Sequence, residues 1–578
     1  MTNRFSTKLP TLLRINRYSS YENFQHIQRL KLGALQPVRF TSTSSKLSYY
    51  FHEKTGFSKT SRLMESASTI GDIFSEDNRI AVQNKPIKEL IHTLIVYRLC
   101  SFQWLVNRSP GLISFAEKAG LSAPIYWLIK RTFFAQFCGG ETAEQCIDSM
   151  SQLKTHGIGL ILDLSIEADI NENGSLSLNE SRNIEADHVS RSMAKCITTA
   201  ASQPNSFVAL KLTGLSNPTI LRNWTLTLNS LSKSFDKFDI NKDGKLERSD
   251  FLKFVYELFG DDKENVAKTL FDHADENKEG LIDKVEFINM LSLDNKYSRS
   301  LLICNEDFHL KQEDFEDYDK MMDRLKELCE LARIKNVRLM IDAEQTYFQP
   351  AIDDVAMKLS AKYNKSDNKN GPIIFNTYQM YLKDSTERLM RNYNLSNRKQ
   401  FVFATKIVRG AYLYSERKRA KEMGYPDPIH DTIENTHAAY EFAVEFLLNK
   451  LSEAQKTFDK QLDISNSPVV FMVASHNKRS IIRALRQMMD LDISTKSGLV
   501  LFGQLLGMCD TITYTLGKYE CGVYKYVPYG KINEVIPYLI RRAQENSFIL
   551  EGIKEESQCL WKEIINRIFH IQPLISNS

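Results

Sequence analysis

Val469-Val470-Phe471-Met472-Val473-Ala474-Ser475-His476 is a short apolar run that ends in polar residues. Six consecutive apolar positions leave no alternation, as in a parallel strand covered on both faces. Runs of the same kind recur at Ile158–Asp163, Phe207–Leu212, Val337–Asp342, Pro372–Thr377, Phe401–Arg409, Val500–Gly503 and Val523–Val527. Helical stretches lie between them. Eight strand–helix alternations predict an α/β chain built as a (β/α)8 TIM-type barrel. A doubly wound open sheet has the same periodicity and stays open as the alternative.

The other segments fall around this frame. Residues 1–52 hold eight Lys/Arg against a single acid, Glu22. An acid-poor stretch rich in Arg, Ser and Thr reads as a mitochondrial transit segment or, failing that, as a basic tail. Residues 53–156 read as an N-terminal helical region, and 157–228 with 300–560 as the barrel. About 120 residues separate Leu215 from Val337, far beyond the 2–6 of an ordinary βα loop. An insertion at 229–295 is expected there, and a tail at 561–578.

Composition narrows the class. Apolar residues are 42% and charged residues 25% of the 578-residue chain, which excludes wholesale disorder. The nine cysteines form no C-x-x-C pair and are odd in number, against a disulfide framework or a cysteine zinc site. No run of about 20 apolar residues is present, so no transmembrane helix is expected. A net charge of +4 is too small to imply nucleic-acid binding.

The insertion carries two loops of calcium-binding pattern. In the first, Asp239, Asn241, Asp243 and Glu247 stand at positions 1, 3, 5 and 9, with Gly244 at the sharp turn. The Lys245 carbonyl fills position 7, and Asp250 stands at 12, where Glu is usual. In the second, Asp275, Asn277, Glu279, the Leu281 carbonyl and Glu286 fill positions 1, 3, 5, 7 and 12. Because Glu286 keeps the bidentate reach, this loop is the better candidate for Ca2+ or Mg2+. A degenerate pair that keeps the helices without metal is the competing reading.

Barrel enzymes carry reactive side chains where strands end. Lys211, Asp342, Glu344, Gln379, Arg409, Tyr412, His476, Asn477, Gln504 and Tyr526 are polar residues near such ends. Past the last strand, Tyr538, Arg541, Arg542 and Glu545 are spaced i, i+3, i+4 and i+7, on one helix face. Two adjacent guanidinium groups beside a tyrosine suit a carboxylate. For an isolated R-R-x-x-E, a solvated helix face is the commoner explanation.

The order of the pieces carries a resemblance. Val208-Ala209-Leu210-Lys211, Met340-Ile341-Asp342-Ala343-Glu344, Asn376-Thr377-Tyr378-Gln379 and Lys406-Ile407-Val408-Arg409-Gly410-Ala411-Tyr412 are followed by four more. These are Ala474-Ser475-His476-Asn477, Gly503-Gln504-Leu505-Leu506-Gly507, Tyr526-Val527-Pro528-Tyr529-Gly530 and Tyr538 to Asn546. Together they resemble the proline dehydrogenase family, in the mitochondrial animal form with its EF-hand-like insertion. The resemblance implies a distorted (β/α)8 barrel that binds FAD and oxidises L-proline to Δ1-pyrroline-5-carboxylate. It implies ubiquinone as acceptor and peripheral association with the mitochondrial inner membrane from the matrix side; it says nothing of oligomeric state.

It also assigns roles. Arg541 and Arg542 match the pair that holds the substrate carboxylate, with Glu545 orienting them. Tyr412, Tyr526 and Tyr538 match pocket tyrosines, and Lys211 with Asp342 a lysine–aspartate pair below the substrate. Asn376, Gln379, Lys406, Arg409, His476, Asn477 and Gln504 fall on stretches that contact FAD. Relatives that prefer hydroxyproline carry a smaller polar residue at the position of Tyr526. A Schiff-base enzyme using Lys211 and an EF-hand interaction protein on an inactive barrel are the rival functions; a bound flavin separates the dehydrogenase from both.

Overall fold

The structure is a computed structural model that describes residues 67–569, apart from 74, 76–77, 166–176, 276–277, 304, 306–307, 367, 459–461 and 549. Side chains at 103, 177–180, 261, 545–548 and 550–553 are also outside the described set. The described residues all belong to one unit, Ser61–Ser578. Residues 1–52, the expected transit segment, and Asn277 lie outside them.

Eight strands close into a barrel: β1 (Ile158–Leu164), β2 (Phe207–Leu210), β3 (Arg338–Ile341), β4 (Ile374–Gln379), β5 (Phe403–Val408), β6 (Val469–Ala474), β7 (Val500–Leu505) and β8 (Val523–Tyr529). Each pairs with the next in sequence, and β8 closes onto β1. Every pairing is parallel. The open-sheet alternative is therefore excluded, and all eight expected runs are strands.

The pleat sorts each strand into two faces. Phe207 on β2 meets Phe375 on β4 and Tyr524 on β8 edge-on, at 5.0 Å each. These strands are not neighbours, so the three rings fill the barrel floor. Counting by two from them puts Asp163, Lys211, Asp342, Thr377, Gln379, Lys406, Ala474, Gly503 and Tyr526 on the inner face, towards the C-terminal mouth. The register agrees: Thr377 is opposite Lys406, Lys406 opposite Met472, and Ile161 opposite Tyr526. The outer face packs Val, Ile and Leu against the surrounding helices, and nearly all of it is fully buried.

Segment boundaries differ from the expected ones where helices run across them. The helix Pro218–Phe238 spans the 228/229 boundary, because Trp224, Leu228, Leu231 and Phe235 form one continuous buried stripe. The helix Leu550–Ile568 continues past 560, since Leu560 and Ile564 pack with Leu90 and Tyr97 of the helix Ile87–Cys100. Within the insertion, Lys245–Glu247 and Leu281–Asp283 pair as a short antiparallel ribbon, with Leu246 opposite Ile282. Phe251, Phe254, Phe271 and Phe287 form its aromatic core. Arg398, at the end of the barrel helix Ser385–Arg398, forms ion pairs with Asp283 and Glu286.

Candidate active site

A buried ionic cluster occupies the barrel mouth. The Asp342 carboxylate, just past β3, accepts from Lys406 Nζ at 2.6 Å and from Tyr526 Oη at 2.7 Å. Lys211 Nζ donates to Asp163 Oδ1 at 2.5 Å and lies 3.9 Å from Asp342 Oδ2. The Lys406 ammonium also faces the Tyr526 ring at 5.4 Å. Two lysines and two aspartates thus balance in a largely buried space.

This arrangement sets protonation. Burial, the largest influence, would push the Asp342 carboxyl up; Lys406 and Lys211 more than offset it and hold it below the ordinary carboxylate range. Tyr526 moves the other way: burial first, then the Asp163 and Asp342 charges, raise its phenol well above the usual value. Tyr526 therefore stays protonated and acts as a donor. Asp163 was not among the expected site residues. An acid inside the apolar run Leu160-Ile161-Leu162-Asp163-Leu164 was the available signal. Glu344 is also part of the rim and accepts from the Thr213 backbone N–H at 3.2 Å.

The rim positions around the mouth are held by the chain itself. Gln379 donates to the Glu344 carbonyl at 2.8 Å and accepts from the Ala411 N–H at 3.2 Å. Between them Gly410 takes φ +143°, and a Cβ there would meet the Tyr381 ring at 2.4 Å, so only glycine fits the turn. His476 Nε2 accepts from the Leu505 N–H at 3.0 Å, which leaves its proton on Nδ1. Burial, then the positive charges of Lys525, Arg542 and Arg409, hold its pKa down to about 3.

His476 should therefore remain neutral across the working pH range. The folded value lies below the ordinary one of about 6.5, so its contribution to stability is complete above that pH. It is lost as pH falls from about 6.5 towards the folded value. Ring-proton NMR should show no titration of this imidazole between about pH 5 and 8; a midpoint near 6.5 would contradict the burial argument.

The helix Ile532–Phe548 lies over the mouth. Arg541 faces the Tyr412 ring at 5.6 Å, and Arg542 the Tyr538 ring at 5.0 Å. Arg542 is close enough to His476 to depress it, and Tyr538 close enough to Tyr526 to raise it. Tyr412, Tyr526, Tyr538, Arg541 and Arg542 thus meet at one place. Glu545 belongs to the same helix, and its side chain is outside the described set.

Four other residues expected at the flavin are held by the chain as follows. Asn376 is on the outer face of β4 and donates to Asp353 at 3.1 Å, in a buried pair with Arg388. Gln504 is on the outer face of β7, opposite Lys525, and accepts from Thr513 Oγ1 at 3.1 Å. Strand parity explains both placements: one residue along a strand reverses the face. Asn477 caps the helix Lys478–Asp490 by accepting from the Ser480 N–H at 3.1 Å. Arg409 lies on the outer rim against the Tyr440 ring at 4.2 Å, donating to His437, Ser475 and Ser480.

The calcium-pattern loops are a separate matter. Asp239 Oδ2 accepts from the Gly244 N–H at 3.1 Å, and Asp275 from the N–H groups of Glu279 and Gly280. Asn241 and Asp243 bond to each other at 3.0 Å, Asp250 pairs with Lys253 at 3.1 Å, and Glu286 accepts from the Asp283 N–H at 2.8 Å. Among the described residues, no three acidic, histidine or cysteine side chains converge as a metal cage.

Comparison with known proteins bears on the mouth. The family profile described as proline dehydrogenase matches residues 146–554. The chain belongs to the proline dehydrogenase family. It is 30% identical over 566 residues to proline dehydrogenase 1, mitochondrial, of Drosophila melanogaster, covering 87% of this chain and 82% of that one. The human protein of that name is 30% identical over 547 residues, covering 84% and 88%. Hydroxyproline dehydrogenase of Xenopus laevis is 31% identical over 490 residues, covering 83% and 88%. Among solved structures, proline utilization A of Bdellovibrio bacteriovorus is similar at 15% identity and TM-score 0.48, over 85% of this chain and 42% of that one. The chain spans about two-fifths of that protein. As a proline dehydrogenase, the chain is an oxidoreductase, and the mouth above is its candidate active site.

Proposed function

We propose that this proline dehydrogenase oxidises L-proline to Δ1-pyrroline-5-carboxylate at the barrel mouth, with FAD as cofactor and a lipid quinone as acceptor. The observation that carries this reading is the Arg541–Arg542 pair over the Asp342–Lys406–Tyr526 cluster. The residues present fit a flavin. Ala474 and Gly503 leave the inner face of β6 and β7 without bulk, and Lys406 with the Gln379 amide supplies polar edge groups. Bound there, FAD would supply acceptance of two electrons and a hydride.

The chain's own residues orient the substrate. Arg541 and Arg542 clamp the carboxylate as a planar fork. Tyr412 and Tyr538, each facing one guanidinium, fix that fork before substrate arrives. Tyr526 forms the wall beside the ring and keeps its proton, so it does not serve as the base for the amine. Lys211, ion-paired to Asp163, has no lone pair ready for Schiff-base attack, which weighs against that rival.

Hydroxyproline is the second substrate to consider, because relatives of both names lie at about the same identity. Tyr526 favours proline by its bulk. Tyr526→Ser opens space beside the ring and should raise the hydroxyproline-to-proline turnover ratio, read with an artificial electron acceptor. An unchanged ratio would remove Tyr526 from substrate selection. Turnover of neither substrate by flavin-loaded wild type would overturn the reading itself.

Location follows from the same reading. The named mitochondrial relatives and the basic, acid-poor first 52 residues support a matrix enzyme docked on the inner membrane. No described helix is long and apolar enough to cross a membrane. For the insertion, we infer that calcium or magnesium enters a loop only by displacing pairs already made. Arg398 holds the second loop at Asp283 and Glu286, whereas Asp239 Oδ1 in the first is buried without a hydrogen-bond partner. Calorimetry showing no heat at millimolar ion would leave both loops structural.

A further inference from the structure

We propose that the helices between residues 87 and 131 form the surface by which this enzyme lies on an anionic lipid bilayer. This deepens the quinone reading, on which it rests. The described residues include 23 exposed large apolar side chains, and nine of them fall between Ile91 and Leu128. Singly exposed apolar residues need no explanation; a concentration of them does.

They are organised by helical period. Ile91 and Ile95, then Arg98 and Phe102, follow one face of the helix Ile87–Cys100 and its end. The opposite face, with Leu90, Thr93 and Tyr97, is buried. On the helix Gln103–Lys118, Trp104, Arg108, Leu112 and Phe115 follow one another at the same spacing. Trp127 ends the series on the helix Ser122–Ile129. Phe115 is 70% exposed, Trp104 63% and Trp127 61%. Rings so exposed are not core residues among the described part of the chain.

Charge selects the partner. Residues 87–131 hold six Lys/Arg against two acids. Three of the arginines sit over the exposed rings: Arg98 over Phe102, Arg108 over Trp104 and Arg131 over Trp127, at 5.6 to 5.8 Å. An aromatic ring topped by a guanidinium is apolar below and cationic above. It matches the boundary between acyl chains and anionic headgroups. No described helix spans a membrane, so the surface lies on the bilayer and does not cross it. The helices are tied to the active-site cover: Val96, Cys100 and Val106 pack with Val535, Tyr538 and Leu539. A cleft of about 580 Å³ opens beside Trp127 and Arg131 and reaches Gly139, whose N–H bonds the Pro528 carbonyl of β8. Docking on this face would bring that cleft to the lipid.

The test uses flavin-loaded full-length enzyme and vesicles of phosphatidylcholine, with or without a minor fraction of cardiolipin. The chain has four tryptophans, and of these Trp224 is buried. The enzyme should sediment with cardiolipin vesicles and release at high salt. Its fluorescence should shift to the blue and be quenched by brominated lipid, through Trp104 and Trp127. The variant Trp104→Ser/Phe115→Ser/Trp127→Ser should bind the vesicles about tenfold or more weakly. It should keep wild-type turnover with a soluble acceptor, so a failed lipid result is distinct from a failed function. Equal vesicle binding by the variant, or quenching confined to Trp561, would overturn the proposal. So would absence of vesicle binding together with a dimer in sedimentation that the variant abolishes, since the face would then join two copies.

Discussion

Arg541→Met and Arg542→Met are each expected to cripple proline oxidation while leaving flavin bound. In the structure both guanidinium groups lie against aromatic rings at the barrel mouth, and Arg542 is buried. A carboxylate that enters there is stripped of water and must find its countercharge in the protein. Removing one partner of a buried charged pair costs about 2–5 kcal/mol, or roughly 30- to several-thousand-fold in kcat/KM at about 1.4 kcal/mol per tenfold. Methionine keeps the length and apolar stem, so the helix should keep its packing. Steady-state kinetics with an artificial acceptor measure the loss, and the absorbance spectrum monitors the flavin. Near wild-type kinetics in both variants would mean that this helix does not cover the substrate, and the orientation mechanism would have to be withdrawn.

Asp342→Asn is the second large effect, on both stability and turnover. The carboxylate is the shared partner of Lys406 and Tyr526, with Lys211 at longer range. Asparagine leaves Lys406 buried against a neutral group, and breaking a buried pair in this way costs about 3–5 kcal/mol. Denaturant unfolding of wild type and variant should differ by that order. The pH dependence should differ as well. Asp342 is held below the ordinary carboxylate value, so its contribution is complete above the unfolded pKa of about 3.9. It is lost as pH falls through the lower folded value. The acid limb of the stability profile should therefore be shallower in the variant. An unchanged acid limb and unchanged midpoint would show that the cluster is solvated and not a sealed network.

The barrel was legible because its strands are covered on both faces. Runs such as Val469–Ala474 and Phe207–Leu210 stay apolar through both pleat directions, and no amphipathic helix shares that pattern. The mouth was legible in part. Lys211, Asp342, Gln379, Lys406 and Tyr526 fall on the inner face, and Tyr538 with the two arginines lies above it. Asn376 and Gln504 show that strand-end proximity alone does not give the face of the strand. Each is polar and near a C-terminal end, yet each is one step out of phase with an inner-face neighbour, Thr377 and Gly503 respectively. A count by two from the floor residues would have found this, but the floor residues themselves are visible only after closure. Asp163 carried a signal of its own, an acid within an otherwise apolar run, but its partner Lys211 lies 48 residues away. The pairing of Arg398 with Asp283 and Glu286 joins segments more than a hundred residues apart, and no local pattern announces it.

Anaerobic addition of L-proline to the purified, flavin-loaded enzyme tests the central claim most directly. The wild-type oxidised-flavin band should bleach on mixing with proline, and at the same proline concentration the band should persist in Arg541→Met and Arg542→Met. A band that L-proline leaves unchanged in the wild-type enzyme, or bleaches as readily in both variants, would contradict the account.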